Sequence, residues 1–449
     1  MYLTNINFSA KMLGSILALV LFFTPLNMLY GSEAKRKYKE TQDSKKKNSQ
    51  SREQDFLDAC KTNIIHRVRA LLPLIEDINT ANDKEVPGFS GLHFAAQNDN
   101  SDLMELLIAE GADVNYSDDK DAVWKHTPLH VAARESNISA CKVLLNHGAD
   151  ANAQVLRLRW TPLCYAVSKG DFKVVELLLQ RGARFAQLSI LNTGSKSIRL
   201  PHTHYAEVLR IGLNYNWSVL HLAADKGDIN ICRILLNAGA DPNERISTYD
   251  WSEKKDSSCH SPTPLLCAVL SKHLEVCRLL LEAGADSSEE FTAGGMSLPL
   301  LAIAATCSTG EIVCLLRLDG AYDSNFTTNL CSFTLLHFAA GAGNNDVCRV
   351  LLDESLSDIE VVDGEGYTPL LLAAKAGHIE TSRLLLDAGA EIFARVQPGL
   401  LTRSLRFLER LLASHERGYP DIGWNVFQVA RENGRQELLR FLLDHVSQT

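Results

Sequence analysis

A four-residue start, Thr127-Pro128-Leu129-His130, recurs along the chain and constrains its fold more than any other feature. It reappears as Ser90-Gly91-Leu92-His93, Thr161-Pro162-Leu163-Cys164, Ser218-Val219-Leu220-His221, Thr263-Pro264-Leu265-Leu266, Thr334-Leu335-Leu336-His337 and Thr368-Pro369-Leu370-Leu371, with degenerate copies at Leu298-Pro299-Leu300 and Asn425-Val426-Phe427. A hydroxyl residue caps a helix well, and proline at the first helical position forfeits no hydrogen bond. Each start therefore predicts a short helix. After Thr127, a narrow face of Leu129, Ala132 and Ala133 is broken by the polar run Arg134 to Asn137. A second helix carrying Val143, Leu144 and Leu145 follows, Gly148 ends it, and Ala149-Asp150 leads into a turn.

Helices of about eight residues do not persist alone in water, so each pair needs neighbours. The recurrence supplies them, at roughly 34 residues where it is regular, as from Thr127 to Thr161 and from Thr334 to Thr368. The start, the Ala-Ala pair, the Leu-Leu-Leu run and the Gly-Ala-Asp exit together resemble the ankyrin repeat, from roughly Gln54 to the C-terminus with interruptions. The resemblance implies an all-α solenoid of paired short antiparallel helices with hairpin-like fingers, about ten units including two caps. It also implies a concave binding face, a protein–protein interaction scaffold or adaptor with another protein as partner, and no catalysis by the repeats.

A repeat array has no single core and grows by adding units, so residues 53–449 are read as one domain. Phe56, Ala59, Cys60, Val68, Leu71 and Leu72 keep the apolar register without a start or an exit, as an N-terminal cap would. Trp424 to His445, with a polar end, reads as the C-terminal cap. Wide intervals place insertions near 185–217, 242–262 and 396–423, the last holding an amphipathic segment with Leu401, Leu405, Leu408 and Leu412. Leu298 to Ala321 is poor in turn residues and predicts a bend.

Residues 1–31 are separate. Lys11 precedes the apolar run Met12 to Phe23, then come Thr24-Pro25 and a second patch, Leu26 to Tyr30. The first run fits the hydrophobic segment of a cleaved signal peptide, which would make the chain exported or secreted. The alternative is a single-pass membrane anchor through residues 12–30, the one place where an uncleaved chain would touch a membrane. Residues 32–52 read as a basic disordered linker, and positive charge after an apolar span favours the anchor with cytosolic repeats.

Charge excludes one class of partner. With 45 Lys and Arg against 54 Asp and Glu the formal charge is −9, which offers no footprint for nucleic acid. Of eleven cysteines, Cys141, Cys232, Cys277 and Cys348 occupy one repeat position. Stacked copies of a helical position lie about 8–10 Å apart, beyond the roughly 7 Å a disulfide allows. Buried free thiols and a reducing environment follow.

No residue set points to catalysis, and no cofactor or metal is expected. His93, His130, His221 and His337 recur at one position, where each ring is expected to hydrogen-bond between units and to the hydroxyl of its start. Cys259, His260, Cys267 and His273 lack paired Cys-x-x-Cys spacing, His202 and His204 read as polar surface, and Gly341-Ala342-Gly343 lacks the Lys and Ser/Thr of a phosphate loop. Aromatic and arginine side chains near the turns are better anchors for a partner: Trp124, Arg157, Arg159, Tyr249 and Trp251, with Tyr322 and Phe326 beside them. Trp160 and Trp217 directly precede a start and are as well placed to pack on an adjacent unit. Two alternative roles are an exported effector acting in a host cytosol and an enzyme subunit with activity in the insertions, though two dozen or so inserted residues are few for a supported catalytic site.

Overall fold

Thr127 caps the helix Pro128–Glu135, and Ser136 closes it in the left-handed conformation before the helix Ile138–Asn146. This helix–turn–helix is the unit expected from the sequence. A computed structural model describes residues 39, 49–81, 83, 86, 88–117, 126–155, 160–185, 218–245, 262–293, 296–320, 333–353, 358–396 and 424–448. It divides at Asp150 into two compact units.

The first unit opens with a helix over residues 49–61, named α1, which takes in the last residues of the stretch read as linker. Helix α2 (Ile65–Leu71) and a 3-10 turn (Leu72–Leu74) follow, then α3 (Gly91–Gln97), α4 (Ser101–Ala109), α5 (Pro128–Glu135) and α6 (Ile138–Asn146). First helix stacks on first helix, α3 on α5, and second on second, α4 on α6. The N-terminal cap keeps its expected core, since Phe56, Ala59, Cys60 and Val68 are fully buried. Gly91 stands where other starts carry proline, because a Cβ there would press on Cys60 and Phe56.

In the second unit the pairs are α7 (Pro162–Lys169) with α8 (Phe172–Gln180), α9 (Val219–Lys226) with α10 (Ile229–Asn237), and α11 (Pro264–Leu270) with α12 (Leu274–Glu282). Then come α13 (Leu300–Cys307) with α14 (Gly310–Leu318), α15 (Leu335–Ala342) with α16 (Asn345–Asp353), α17 (Pro369–Ala376) with α18 (Ile379–Asp387), and α19 (Val426–Glu432) with α20 (Gln436–Gln448). Each pair stacks on the next. Close stacking of the first helices depends on fully buried small residues such as Ala223, Ala268, Ala304, Ala339 and Ala373.

The segment read as a bend, from Leu298, holds a helix pair, α13 and α14, stacked between its neighbours. The antiparallel hairpin β1 (Glu290–Ala293) and β2 (Met296–Pro299) enters it, with Pro299 capping α13 in place of a hydroxyl residue. The last pair, read as the C-terminal cap, exposes two apolar side chains near its end. Leu443 is 60% exposed on α20, at the repeat position where Leu386 of α18 is 9% exposed, and Val446 is also exposed. The expected insertions and amphipathic segment, and residues 1–31, lie largely outside the described residues.

Candidate interaction surface

Three ladders of side-chain hydrogen bonds lock unit to unit, and they decide which side chains remain for a partner. The first runs through the start histidines. His93 Nδ1 accepts the backbone N–H of Ser90 at 3.1 Å, and its Nε2 donates to the carbonyl of His126 at 2.9 Å. A backbone N–H can only donate, so Nδ1 is bare and the proton sits on Nε2. His221 and His337 repeat this arrangement, with Nε2 on the carbonyls of Pro262 and Tyr367 at 3.0 Å. Each acceptor is the residue just before the next start. Burial, more than any other cause, holds these three imidazoles down to about 4. The histidines are structural ties, as expected, and His130 makes the same contact with Thr127.

The second ladder covers the turn between helices. The Asn137 amide nitrogen donates to the carbonyls of Ala96 and Gln97, both at 2.8 Å, and Asn344 does the same to Ala305 and Ser308. His273 donates to Asp225, His378 to Gly341 and Arg435 to Lys375. All are carbonyls near the end of the preceding first helix, which has no intrahelical partner for them. This gives His273 a structural task, and Cys267 lies buried within α11. Among the described residues no group of three His, Cys, Asp or Glu is placed to hold a metal ion.

The third ladder ties the fingers. The Asn243 oxygen accepts the N–H of Asp286 at 2.8 Å while its nitrogen donates to the Gly284 carbonyl at 2.8 Å, and Asn152 joins Arg184 and Gly182 likewise. Sequence reading missed these asparagines. The signal was present, since Asn115, Asn152 and Asn243 each lie four residues after the exit glycine of their unit.

What remains is aromatic. The residue before a start pairs with the residue four after it: Phe89 with Phe94 at 5.7 Å between ring centroids, Trp160 with Tyr165 at 4.9 Å, and Phe333 with Phe338 at 5.3 Å. Trp160, Tyr165, Phe333 and Phe338 are half-buried, so each keeps an open face. Trp160 thus packs on a residue of the helix that follows it. Further along, Lys375 lies over Tyr367, and Phe393, 58% exposed, stands beside Phe427. Trp124, Arg157, Arg159, Tyr249 and Trp251 lie outside the described residues, as do Trp217, Tyr322, Phe326, His202, His204, Cys259 and His260.

The recurring start, the three ladders and the paired helices agree with comparison to known proteins. A model of ankyrin repeats matches three times, over residues 92–188, 202–290 and 301–396. The chain belongs to the ankyrin repeat family. Its ankyrin repeats include 98 residues 36% identical to cortactin-binding protein 2 of Atelerix albiventris, covering 20% of this chain and 6% of that protein. A further match, 43% identical over 60 residues, is to inversin of Danio rerio, covering 13% of this chain and 6% of that one. The chain therefore matches only a small fraction of the length of these relatives. The human ASB11 ankyrin repeat domain is similar in structure at 24% identity and a TM-score of 0.42, over 60% of this chain and 99% of that one. Ankyrin repeats make this chain a protein–protein interaction scaffold.

Proposed function

We propose that this ankyrin repeat chain is a membrane-held adaptor that binds a partner protein along its paired aromatic side chains, with the apolar segment of residues 12–30 as the tether. The observation that carries the reading is the set of half-open pairs at the starts, Trp160 with Tyr165 and Phe333 with Phe338, continued by exposed Phe393. Rings fixed by a neighbour lose little freedom when they are covered, which makes them efficient anchors. Trp124, Arg157, Arg159, Tyr249 and Trp251 are further anchors the sequence offers.

Binding, not chemistry, is the proposed activity. The start histidines and turn histidines are committed to stacking bonds, and the buried thiols of Cys60, Cys232, Cys277 and Cys348 are pushed up to about 12 by burial. A thiol so shifted is a poor nucleophile. Free thiols at recurring buried positions also support a reducing surrounding for the repeats, which favours the anchor over release into an oxidising space.

The test is a crosslinked pull-down with the full chain from the source cell, beside a Phe338→Ala, Phe393→Ser variant and a Trp124→Ala, Trp251→Ala variant. A partner lost in either variant supports the aromatic surface. Retention in both moves the partner elsewhere on the repeats. Recovery of a mature chain lacking residues 1–31 outside the cell would replace the anchor with export, and with it the effector role.

A further inference from the structure

Five asparagines lie in acceptor sequences for N-linked glycosylation: Asn115-Tyr116-Ser117 and Asn137-Ile138-Ser139 fall among the described residues, and Asn7, Asn216 and Asn325 lie outside them. The fold uses the amides of Asn115 and Asn137 differently. Asn137 donates to the carbonyls of Ala96 and Gln97 at 2.8 Å each, so both amide protons are committed to closing the end of α3. Its own N–H donates to the Ala132 carbonyl at 2.9 Å, which fixes the turn that presents the side chain. Asn115 is exposed. Its oxygen accepts the N–H of Asp150 at 2.8 Å, and its nitrogen reaches only one carbonyl, that of Gly148, at 3.4 Å.

Glycosylation forms a bond from the amide nitrogen to the anomeric carbon of a lipid-diphosphate-linked oligosaccharide. The bond from that carbon to the diphosphate breaks, the lipid diphosphate leaves with the electron pair, and one amide proton passes to a base of the transferase. A modified Asn115 keeps its acceptor oxygen and one amide proton for the single carbonyl it serves. A modified Asn137 has one proton for two carbonyls and a sugar ring where the end of α3 lies, so the part-buried terminus of α3 loses one of its two donors and the cover of the turn. Asn344 performs the same double donation in its turn, but Asn344-Asn345-Asp346 is no acceptor sequence.

We propose that Asn137 is a site whose N-glycosylation is incompatible with the stacked repeats, so that the array matures on the membrane face where no oligosaccharide is transferred and residues 12–30 hold it there. The proposal adds an orientation to the tether and does not depend on which protein is bound.

The test is translation of the full chain with endoplasmic-reticulum vesicles in three forms: with its own N-terminus, with a strong cleavable signal placed ahead of it, and with that signal plus Ser139→Ala. Ser139→Ala removes the acceptor sequence and leaves the Asn137 amide in place. With its own N-terminus the chain is expected to carry no glycan at Asn115 or Asn137. Behind the added signal both are modified, and residues 90–150 are digested about tenfold faster than in the Ser139→Ala chain, which keeps its Asn115 glycan. Chains modified at Asn137 that resist protease as well as Ser139→Ala would overturn the incompatibility. Glycan at Asn115, Asn137, Asn216 or Asn325 on the chain with its own N-terminus would overturn the orientation. Folded lumenal chains bearing glycan at Asn115 and none at Asn137 would show that lumenal maturation is permitted, and would overturn the compartment. Failure of the pull-down to find a partner leaves all three readouts intact.

Discussion

The ring of His378 lies against Gly343, so close that a Cβ on the glycine would come within 2.6 Å of the imidazole Nδ1. Gly343 closes α15 with φ +72°, and His378, the cap of α18, donates from Nε2 to the Gly341 carbonyl at 3.2 Å. One unit therefore requires a glycine so that the next can cover its turn. Gly377 and Arg435 repeat the relationship one unit later.

Gly343→Ala is expected to destabilise the surrounding units by about 2–3 kcal/mol, part from a left-handed alanine and part from the displaced ring. Urea unfolding of single and double variants checks it. With His378→Ala as the partner change, the two costs should fall short of additive, because both remove one contact.

Stability should fall as the solution is acidified from pH 6.5 to 4. His93, His221 and His337 have folded pKa values of about 4 against an ordinary 6.5, so across that window the unfolded chain binds more protons. Each histidine contributes a slope of up to about 1.4 kcal/mol per pH unit, lost stability on the acid side and none above pH 6.5. His337→Leu, which copies the residue at Leu266 and Leu371, should lower stability modestly at pH 7 and flatten the acid slope. Urea midpoints at pH 7 and pH 5 decide it.

Ala132 is fully buried in α5. Ala132→Glu should cost several kcal/mol, on the order of other unpaired buried charges. Thermal melting as for the unchanged chain would mean that α5 does not pack on that face.

Thiol labelling under native conditions at pH 8 should leave Cys60, Cys141, Cys164, Cys232, Cys277 and Cys348 unmodified, because burial excludes the reagent. Cys307 and Cys314 are partly accessible and should be labelled sooner. Peptide mass analysis after timed labelling reads the order, and denaturant should expose all eleven.

Asn243→Ala should cost about 1–2 kcal/mol, since it removes an acceptor from Asp286 and a donor from Gly284 together. Hydrogen exchange at the Asp286 amide should rise in step.

Local chemistry alone determined the repeat. Thr127 and Pro128 set a helix start, Ala132 and Ala133 permit close stacking, and Gly148 ends the second helix, all within one unit's span. The family and the structural role of the histidines were legible for that reason. Tertiary structure decided the rest, because the partners lie roughly one repeat away. That Asn137 serves Ala96 and Gln97 and that His378 covers Gly343 depend on how neighbouring turns meet in space. Leu298 to Ala321 taught the same lesson: its start lacks a hydroxyl cap, yet stacking between two complete units makes it a helix pair, since buried apolar area outweighs a missing cap.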